Sequence, residues 1–337
     1  MSSVRRPMAT VISLLAALVL AGCGVSAQPS SERPASGGDT SEAATFPLSV
    51  EHKYGTTEIP KEPKRVVTLG LSDQDAVLAL GVKPVGAVDW FKERPYGLWP
   101  WTKDLWGADT PEIVGERDDF SFEKILNLHP DLILALYSGM TKDQYDELTK
   151  IAPTVGQPKD FADYGAPWQD MTRLAGEALG KPDEVEKLIT DVDDRFAKVR
   201  ADHPDWKGKT VAVVDPYQPG QYAVFQKTDP KAVFMTEMGF TVPDEINEAA
   251  GDNNAAEIST ERADMIDQDL VLFLTADPAA EARVKADPVY QGLAAARENR
   301  AMFVPYAQPP IGAALSFNTV LSIPYALDEF VPLLDKS

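Results

Sequence analysis

Aromatic and cationic side chains are concentrated between residues 90 and 106. Four of the six tryptophans in the chain fall in this stretch. Its candidate ligand contacts are Trp90, Arg94, Tyr96 and Trp99. Aromatic faces can cover the organic part of a ligand while guanidinium groups meet its oxygens. Pro95 and Pro100 predict that the stretch is a loop. The same aromatic rings could instead pack together as a local core, and Trp106 is equally consistent with either role.

Four tyrosines follow predicted strands. They are Tyr137 after residues 132–136, Tyr217 and Tyr222 after residues 211–214, and Tyr306 after residues 302–304. Ligands of open α/β sheets bind outside the carboxyl ends of the strands. We therefore predict that these phenols project at the edge of a cleft.

Short apolar runs alternate with helical patterns along the chain. The strand candidates are residues 65–69, 85–88, 132–136, 211–214, 270–274 and 302–304. Continuous apolar runs separated by helices are typical of parallel strands that are buried on both faces. The pattern predicts an α/β fold.

One long helix is predicted between the two sets of strands. Val185, Ile189, Val192 and Phe196 form an apolar stripe at helical spacing within residues 183–203. At a rise of 1.5 Å per residue, such a helix is about 30 Å long. We interpret it as a stiff connector between two lobes.

A short motif occurs once in each predicted lobe. Ser121-Phe122-Glu123-Lys124 precedes Asp131-Leu132-Ile133-Leu134, and Ser259-Thr260-Glu261-Arg262 precedes Asp269-Leu270-Val271-Leu272. The Glu-to-Asp interval is the same in both copies, and each copy reads as a serine N-cap, a short helix, a turn and a buried strand. The repeat predicts two similar Rossmann-like lobes joined by one long α-helix, with a ligand cleft between them.

The amino-terminal residues indicate export. Arg5 and Arg6 precede an apolar run that is too short to span a bilayer and that ends in Leu20-Ala21-Gly22-Cys23. This ending resembles the bacterial lipobox, which implies cleavage before Cys23 and lipidation of its sulfur. An ordinary signal peptide with an incidental cysteine is the alternative. The predicted division is 1–22 signal peptide, 23–46 flexible tether, 47–165 first lobe, 166–205 helical connector and 206–337 second lobe.

Charge and composition exclude several classes of partner and site. The net charge is −20, which opposes binding to nucleic acid because phosphate contacts need clustered Lys and Arg. Cys23 is the only cysteine, so no intrachain disulfide or cysteine-based zinc site is possible. His52, His129 and His203 lie far apart and are interpreted as structural. We expect a monomer with no cofactor of its own.

Several segments together resemble a known family. They are Val114-Gly115, Phe122-Glu123, Leu128-His129-Pro130-Asp131-Leu132-Ile133, Ile151-Ala152-Pro153-Thr154-Val155, Tyr290-Gln291-Gly292-Leu293 and Asn299-Arg300-Ala301-Met302-Phe303-Val304. The chain is similar over nearly its whole mature length to the class III substrate-binding proteins of ABC importers, and most of all to actinobacterial iron-siderophore lipoproteins. The resemblance implies a protein anchored by lipid on the extracellular face of the cytoplasmic membrane. It would deliver a ferric siderophore to a permease with its ATPase, with haem or cobalamin as alternative ligands.

The resemblance also implies roles for individual residues. Glu123 and Glu261 match the two glutamates that dock into arginine pockets of the permease. Arg117 stands where hydroxamate-siderophore binders place an arginine against the chelate, although it could instead pair with a neighbouring acid. A hydroxamate or mixed chelate is weakly preferred, since so acidic a chain disfavours a highly anionic ligand. Phe120-Ser121 departs from the Pro-Asn that the family often has before the first glutamate.

An envelope hydrolase is the rival interpretation. Such an enzyme would need a nucleophile with its base, or paired carboxylates, in a pocket. The sequence contains neither G-x-S-x-G nor H-E-x-x-H. We therefore predict a binding protein and not an enzyme.

Overall fold

Two β-sheets flanked by helices organise the chain. The computed structural model describes residues 44–92, 96–276 and 279–336, without the side chains of Thr260 and Glu261. The predicted signal peptide, Cys23 and nearly all of the predicted tether lie outside the described residues. In the part that is described, no helix has the length and apolarity needed to cross a membrane.

The first lobe is built on a six-stranded sheet in the order β6-β5-β4-β3-β7-β8, with a separate hairpin of β1 and β2. Its strands are β1 (Leu48–His52), β2 (Gly55–Ile59), β3 (Val66–Thr68), β4 (Gly86–Asp89), β5 (Glu112–Glu116), β6 (Asp119–Phe120), β7 (Leu132–Leu134) and β8 (Thr154–Val155). Its helices are α1 (Asp73–Ala79), α2 (Lys103–Trp106), α3 (Phe122–Asn127) and α4 (Lys142–Leu148). All neighbouring strands of the six-stranded sheet are parallel except β5 and β6.

The second lobe is built on a five-stranded sheet in the order β11-β10-β9-β12-β13. Its strands are β9 (Val211–Gln218), β10 (Gln221–Phe225), β11 (Ala255–Ser259), β12 (Leu270–Thr275) and β13 (Ala301–Pro305). Its helices are α7 (Pro230–Glu237), α8 (Asp244–Ala250), α9 (Ala280–Ala286), α10 (Pro288–Gly292), α11 (Ala294–Arg297), α12 (Ile311–Phe317) and α13 (Ser322–Leu334). Two 3₁₀ helices span Pro204–Trp206 and Thr260–Met265.

The prediction of parallel strands is confirmed for β9, β12 and β13, whereas β10, which was not predicted, is antiparallel to both of its neighbours. The sequence analysis missed the hairpin of β9 and β10. Its turn lies at Pro219 and Gly220, where φ of Gly220 is 70° and favours glycine. Because β9 extends to Gln218, Tyr217 lies inside β9 and Tyr222 inside β10. The prediction that these two tyrosines follow a strand is therefore wrong.

The aspartates of the repeated motif accept equivalent backbone hydrogen bonds in both lobes. The Asp131 carboxylate accepts hydrogen bonds from the backbone N–H of Arg65 at 2.7 Å and of Lys64 at 2.9 Å, just before β3. The Asp269 carboxylate accepts from the N–H of Thr210 at 2.8 Å, just before β9. Each aspartate thus joins its own strand to the parallel neighbour, which supports the predicted similarity of the lobes.

The helices of the repeat differ. Ser121 caps α3 by accepting a hydrogen bond from the Lys124 N–H at 3.5 Å, as predicted. Ser259 makes no such capping bond, and the segment after it is a 3₁₀ helix. Ser259 is paired with Gln221 as the last residue of β11, and Arg262 has non-helical dihedral angles. The prediction of a serine cap is therefore wrong for the second copy.

Two further helices connect the lobes, α5 (Trp168–Leu179) and α6 (Pro182–Asp202). The long predicted helix is confirmed in α6, whose buried stripe includes Val185, Ile189 and Phe196. The Phe196 ring lies 5.5 Å from the Phe234 ring of α7, while α5 packs against α1. The boundaries at residues 165 and 206 stay a prediction.

A buried polar contact joins the end of the chain to the first lobe. The Thr319 hydroxyl donates to Asp75 Oδ2 at 2.6 Å, and the Trp101 indole N–H donates to the same oxygen at 3.1 Å. Asp75 lies on α1, whereas Thr319 lies between α12 and α13. The two lobes are therefore held together on one side of the cleft.

Candidate functional site

A cavity of about 330 Å³ lies between the two lobes. We call it the interlobe cavity. Trp90, Arg117, Tyr137 and Tyr164 of the first lobe and Asp229, Lys231 and Tyr306 of the second are among its lining residues. A second cavity of about 290 Å³ shares Tyr137 and Tyr164 and extends toward Trp168. The interlobe cavity falls within the size range of small-molecule sites.

Arg117 is positioned by the turn between β5 and β6. Its φ is 53°, a left-handed conformation that is uncommon for residues other than glycine. The guanidinium carbon lies 4.7 Å from the centre of the Trp90 ring. Trp90 is the first residue after β4. The side chain is exposed, and among the described residues no carboxylate lies within ion-pair distance of it. The predicted alternative, a salt bridge to a neighbouring acid, is therefore not observed in that part of the chain.

Tyr164 completes an aromatic wall with Trp90 and Tyr137. Its ring lies 5.8 Å from the Trp90 ring and 5.4 Å from the Tyr137 ring. Its hydroxyl donates to the Asp118 carboxylate, which also accepts from the Gly139 N–H at 2.8 Å. A β-carbon at position 139 would come within 2.6 Å of the Tyr164 oxygen, so this approach requires glycine.

Tyr137 is held in place by a fully buried carboxylate. Asp73 accepts hydrogen bonds from the N–H groups of Gly70 at 2.9 Å, Leu136 at 2.8 Å and Tyr137 at 3.0 Å. Burial raises the pKa of Asp73, and these bonds oppose the rise. Asp73 thus connects the loops that follow β3 and β7 and fixes the backbone at Tyr137. Tyr137 follows β7 and lines the interlobe cavity.

The wall of the second lobe carries a paired charge. Asp229 caps α7, and its carboxylate lies 2.9 Å from the Lys231 ammonium. The ammonium also lies 3.9 Å from the centre of the Phe225 ring. Tyr306 follows β13, and its ring lies 5.7 Å from that of Phe91 in the first lobe.

The three tyrosines of the cavity are neutral phenols. Burial raises the pKa of Tyr137, and the negative charge of Asp229 adds to the shift. Burial also raises the pKa of Tyr164, and the hydrogen bond with Asp118 adds to this rise. Burial likewise raises the pKa of Tyr306. All three therefore act as hydrogen-bonding phenols at neutral pH and not as phenolates.

Four of the predicted contact residues meet in the interlobe cavity, namely Trp90, Arg117, Tyr137 and Tyr306. Trp99 is instead stacked on Trp101 at 5.2 Å and packs edge-on against Phe317 of α12 at 5.8 Å. Tyr96 lies 6.2 Å from Trp106, which is only 2% exposed. These contacts match the alternative of a packed local core. Arg94 lies outside the described residues.

Tyr217 and Tyr222 lie at a different cavity. This cavity of about 440 Å³ is lined by the β9–β10 hairpin, α9 and Asp287, and we call it the hairpin cavity. Tyr222 is almost fully buried, and its ring lies 6.3 Å from that of Phe273. Burial, with a contribution from Asp287, raises the pKa of Tyr222. The sheet turns this side chain inward, so it does not join the four residues of the interlobe cavity.

The lining residues that the sequence did not predict include Tyr164, Asp229 and Lys231. Tyr164 lies in a segment with no periodic pattern. Asp229 and Pro230 form a helix-start signal, an N-cap followed by proline. That signal could have predicted a helix N-terminus near the cleft, but it does not predict the ion pair between Asp229 and Lys231.

The two predicted docking glutamates follow equivalent strands. Glu123 is exposed in the first turn of α3, directly after β6. Glu261 follows β11, and its side chain is not among those described. Both β6 and β11 are antiparallel edge strands of their sheets. Each glutamate therefore follows an antiparallel edge strand of its own sheet, although Glu123 lies in an α-helix and Glu261 in a 3₁₀ helix.

The histidines do not form a metal site with acids in the part of the chain that the structure describes, where no cluster of three potential ligands occurs. His52 is hydrogen-bonded to the Thr57 hydroxyl at 2.9 Å, and burial lowers its pKa to about 4. His203 is stacked on Trp206 with the ring centres 4.0 Å apart. Both therefore have structural contacts.

Three of the known proteins that this chain matches are consistent with one another. The probable siderophore-binding lipoprotein YfiY of Bacillus subtilis is 32% identical to this chain over 235 residues. The aligned region covers 69% of this chain and 66% of YfiY, so this chain spans just under two thirds of the length of YfiY. A periplasmic solute binding protein from Mycobacterium smegmatis has a TM-score of 0.76 and 34% identity, over 86% of this chain and 98% of that chain. Streptococcus pneumoniae PiaA in complex with ferrichrome has a TM-score of 0.72 and 30% identity, with the same coverage.

The predicted fold class is confirmed by these matches and by the two sheets of the structure. The periplasmic binding protein family matches residues 66–306, from the first residue of β3 to Tyr306 at the interlobe cavity. The matched region thus includes the six-stranded and five-stranded sheets and the connecting helices, but not β1, β2, α12 or α13. The chain belongs to the periplasmic binding protein family.

Proposed function

We propose that this protein captures a ferric siderophore in the interlobe cavity and delivers it to the permease of an ABC importer. The observation that carries the proposal is the arrangement of Arg117 over Trp90 beside two tyrosine rings. The names of relatives support it, since YfiY is called siderophore-binding and PiaA is bound to ferrichrome.

The chemistry of the cavity suits a chelate and not a bare ion. The aromatic wall buries organic surface, and the Arg117 guanidinium can meet the oxygens that surround the metal. The Trp90 indole N–H is buried and has no hydrogen-bond partner among the described residues, so it can donate to the ligand. A siderophore already fills the coordination sphere of iron, so the protein needs to supply hydrogen bonds rather than metal ligands.

The remaining elements of the proposal concern location and delivery. Lipidation at Cys23 would hold the protein at the extracellular face of the cytoplasmic membrane, with residues 24–46 as the tether. Glu123 and Glu261 would each meet an arginine of the permease. Their equivalent settings, after edge strands β6 and β11, support this assignment.

Fluorescence titration of the mature chain tests the ligand. Ferrichrome, ferric enterobactin, ferric citrate, haem and cobalamin are titrated separately, each siderophore also in its iron-free form. We expect quenching with micromolar or tighter affinity for a ferric siderophore and none for the iron-free form. Trp90→Phe should remove most of the quenching, whereas Trp99→Phe, the matched change in the packed cluster, should leave most of it. Selective binding of haem or cobalamin, or no response to any ligand, would overturn the proposal.

A further inference from the structure

Asp229 and Lys231 form a buried ion pair inside the interlobe cavity. Their side chains are 4% and 12% exposed, and 2.9 Å separates the carboxylate oxygen from the ammonium nitrogen. The Phe225 ring holds the ammonium from another side at 3.9 Å. Lys231 is thus fixed by two contacts and is not a mobile surface lysine.

Charges around the cavity compensate one another. Of the described lining residues, Arg117 and Lys231 carry positive charge and Asp229 carries negative charge. Asp215 on β9 also interacts with Lys231: burial raises the pKa of the Asp215 carboxyl, and the Lys231 cation opposes the rise. Asp118 lies directly after Arg117 and is bonded to Tyr164. The site therefore presents little net positive charge to a ligand.

Asp229 is close enough to the other lobe to act across the cavity. Its charge contributes to the raised pKa of Tyr137 in the first lobe and of Tyr306 in the second. A ligand that lies between these two phenols therefore also lies in the field of the Asp229 carboxylate. In a partly dehydrated site such a field is much stronger than in water.

We propose that Asp229 is a specificity-determining residue, which neutralises Lys231 and thereby restricts the site to ferric chelates of low charge while it repels polyanionic ones. The inference rests on the proposed function, because it concerns the ligand of the same site. The chemical class is a neutral or nearly neutral ferric chelate, such as a trihydroxamate. Repulsion grows with each negative charge on the ligand, whereas an uncharged chelate is affected little.

Asp229→Asn is a clean test of this charge. Asparagine is as good an N-cap as aspartate, so the cap that accepts from the Lys231 N–H at 3.0 Å can be kept. The substitution removes the negative charge and the ion pair of Lys231 with Asp229, while the interaction of Lys231 with Asp215 remains. Asp287→Asn is the matched control, since Asp287 caps α10 in the same Asp-Pro setting but lies at the hairpin cavity.

Affinities are measured for uncharged ferrichrome and trianionic ferric enterobactin. We expect Asp229→Asn to tighten binding of ferric enterobactin by about tenfold or more and to change binding of ferrichrome by less than about threefold. Lys231→Gln should act in the opposite direction and weaken ferric enterobactin further. Asp287→Asn should change neither ligand by more than about threefold.

The outcomes separate failure of this inference from failure of the proposed function. If the unaltered protein binds neither class of chelate, the proposed function fails. If it binds ferrichrome but Asp229→Asn shifts both ligands equally, or Asp287→Asn has the same effect, the inference alone is overturned. If the melting curve shows that Asp229→Asn does not fold, Asp229→Ser is used instead, because serine is also a favoured N-cap residue. Lys231→Gln tests the inference independently, since it should weaken ferric enterobactin binding where Asp229→Asn strengthens it.

Discussion

The two walls of the interlobe cavity use one strand plan but different loops. In the first lobe, β3 and β7 are parallel neighbours, and β9 and β12 are their counterparts in the second. The first wall presents Arg117 over an aromatic face, with no ion-pair partner among the described residues. The second wall presents a lysine that is already paired with Asp229. The comparison teaches that the repeated scaffold sets the cleft, whereas the loops after the strands give each wall its own chemistry.

The largest effect on siderophore uptake is expected from the two docking glutamates, one of which follows an edge strand in each lobe. Glu123→Ala combined with Glu261→Ala should lower siderophore uptake by about 100-fold or more and leave ligand affinity unchanged, because two charge-assisted contacts with the permease would be lost. Uptake of radioactive iron by cells and affinity of the purified protein are measured together.

The matched control for docking is Asp143→Ala with Asp244→Ala. Both residues are exposed acids in the first turn of a helix, one in each lobe. This control should retain uptake. If the glutamate variant lost ligand affinity, these residues would belong to the binding site, and the predicted likeness of the lobes in docking would fail.

The next effect should separate the two walls. Arg117→Asn is expected to weaken ferrichrome binding by roughly 10- to 100-fold, because hydrogen bonds to a charged group contribute about 1.5–3 kcal/mol. Asparagine tolerates the left-handed conformation at this turn, so the melting temperature should not fall. Lys231→Gln should weaken ferrichrome by less than about threefold. Titration calorimetry measures both, and equal losses from both changes would contradict the contrast between the walls.

Smaller effects are expected for the phenols that face each other. Tyr137→Phe and Tyr306→Phe each remove one neutral hydroxyl, whose hydrogen bond contributes about 0.5–1.5 kcal/mol. Each should weaken ferrichrome binding by roughly two- to tenfold. Tyr217→Phe, at the hairpin cavity, is the control and should have no effect; a loss there as large as at Tyr137 would move the ligand to that cavity.

No change at all is expected in the visible spectrum of the bound ferric chelate. The raised pKa values of Tyr137, Tyr164 and Tyr306 keep these phenols protonated at any pH up to the ordinary range of tyrosine ionisation. A protonated phenol does not coordinate iron. Absorption spectra of free and bound ferrichrome between pH 6 and 9 should therefore overlay. A new phenolate-to-iron band on binding would show that a wall contributes a metal ligand.

The scaffold was largely predictable from the sequence because its signals are local and strong. The apolar runs predicted β3, β7, β9 and β12, and the apolar stripe predicted α6 within one residue at each end. The hairpin of β9 and β10 was missed because the predicted strand ends at residue 214, whereas β9 continues to Gln218. Its turn signal is the single pair Pro219-Gly220.

The site was predictable only where residues follow strands. Trp90 and Tyr137 stand after β4 and β7 of the first sheet, and Tyr306 stands after β13 of the second, so each lies at the carboxyl end of a strand in its own sheet. Trp99 could not be separated from the packed cluster, because its position depends on Phe317, more than 200 residues away in the sequence. The pairing of Lys231 with Asp229 depends on side-chain packing against Phe225, which no sequence pattern encodes.

Iron-anomalous diffraction from crystals of the ferrichrome-loaded protein tests the central claim most directly. A single anomalous peak should lie in the interlobe cavity, between Arg117 and Trp90 on one side and Tyr306 on the other, with no protein atom in the coordination sphere of the iron. A peak in the hairpin cavity beside Tyr217, or iron coordinated directly by a side chain, would contradict the account.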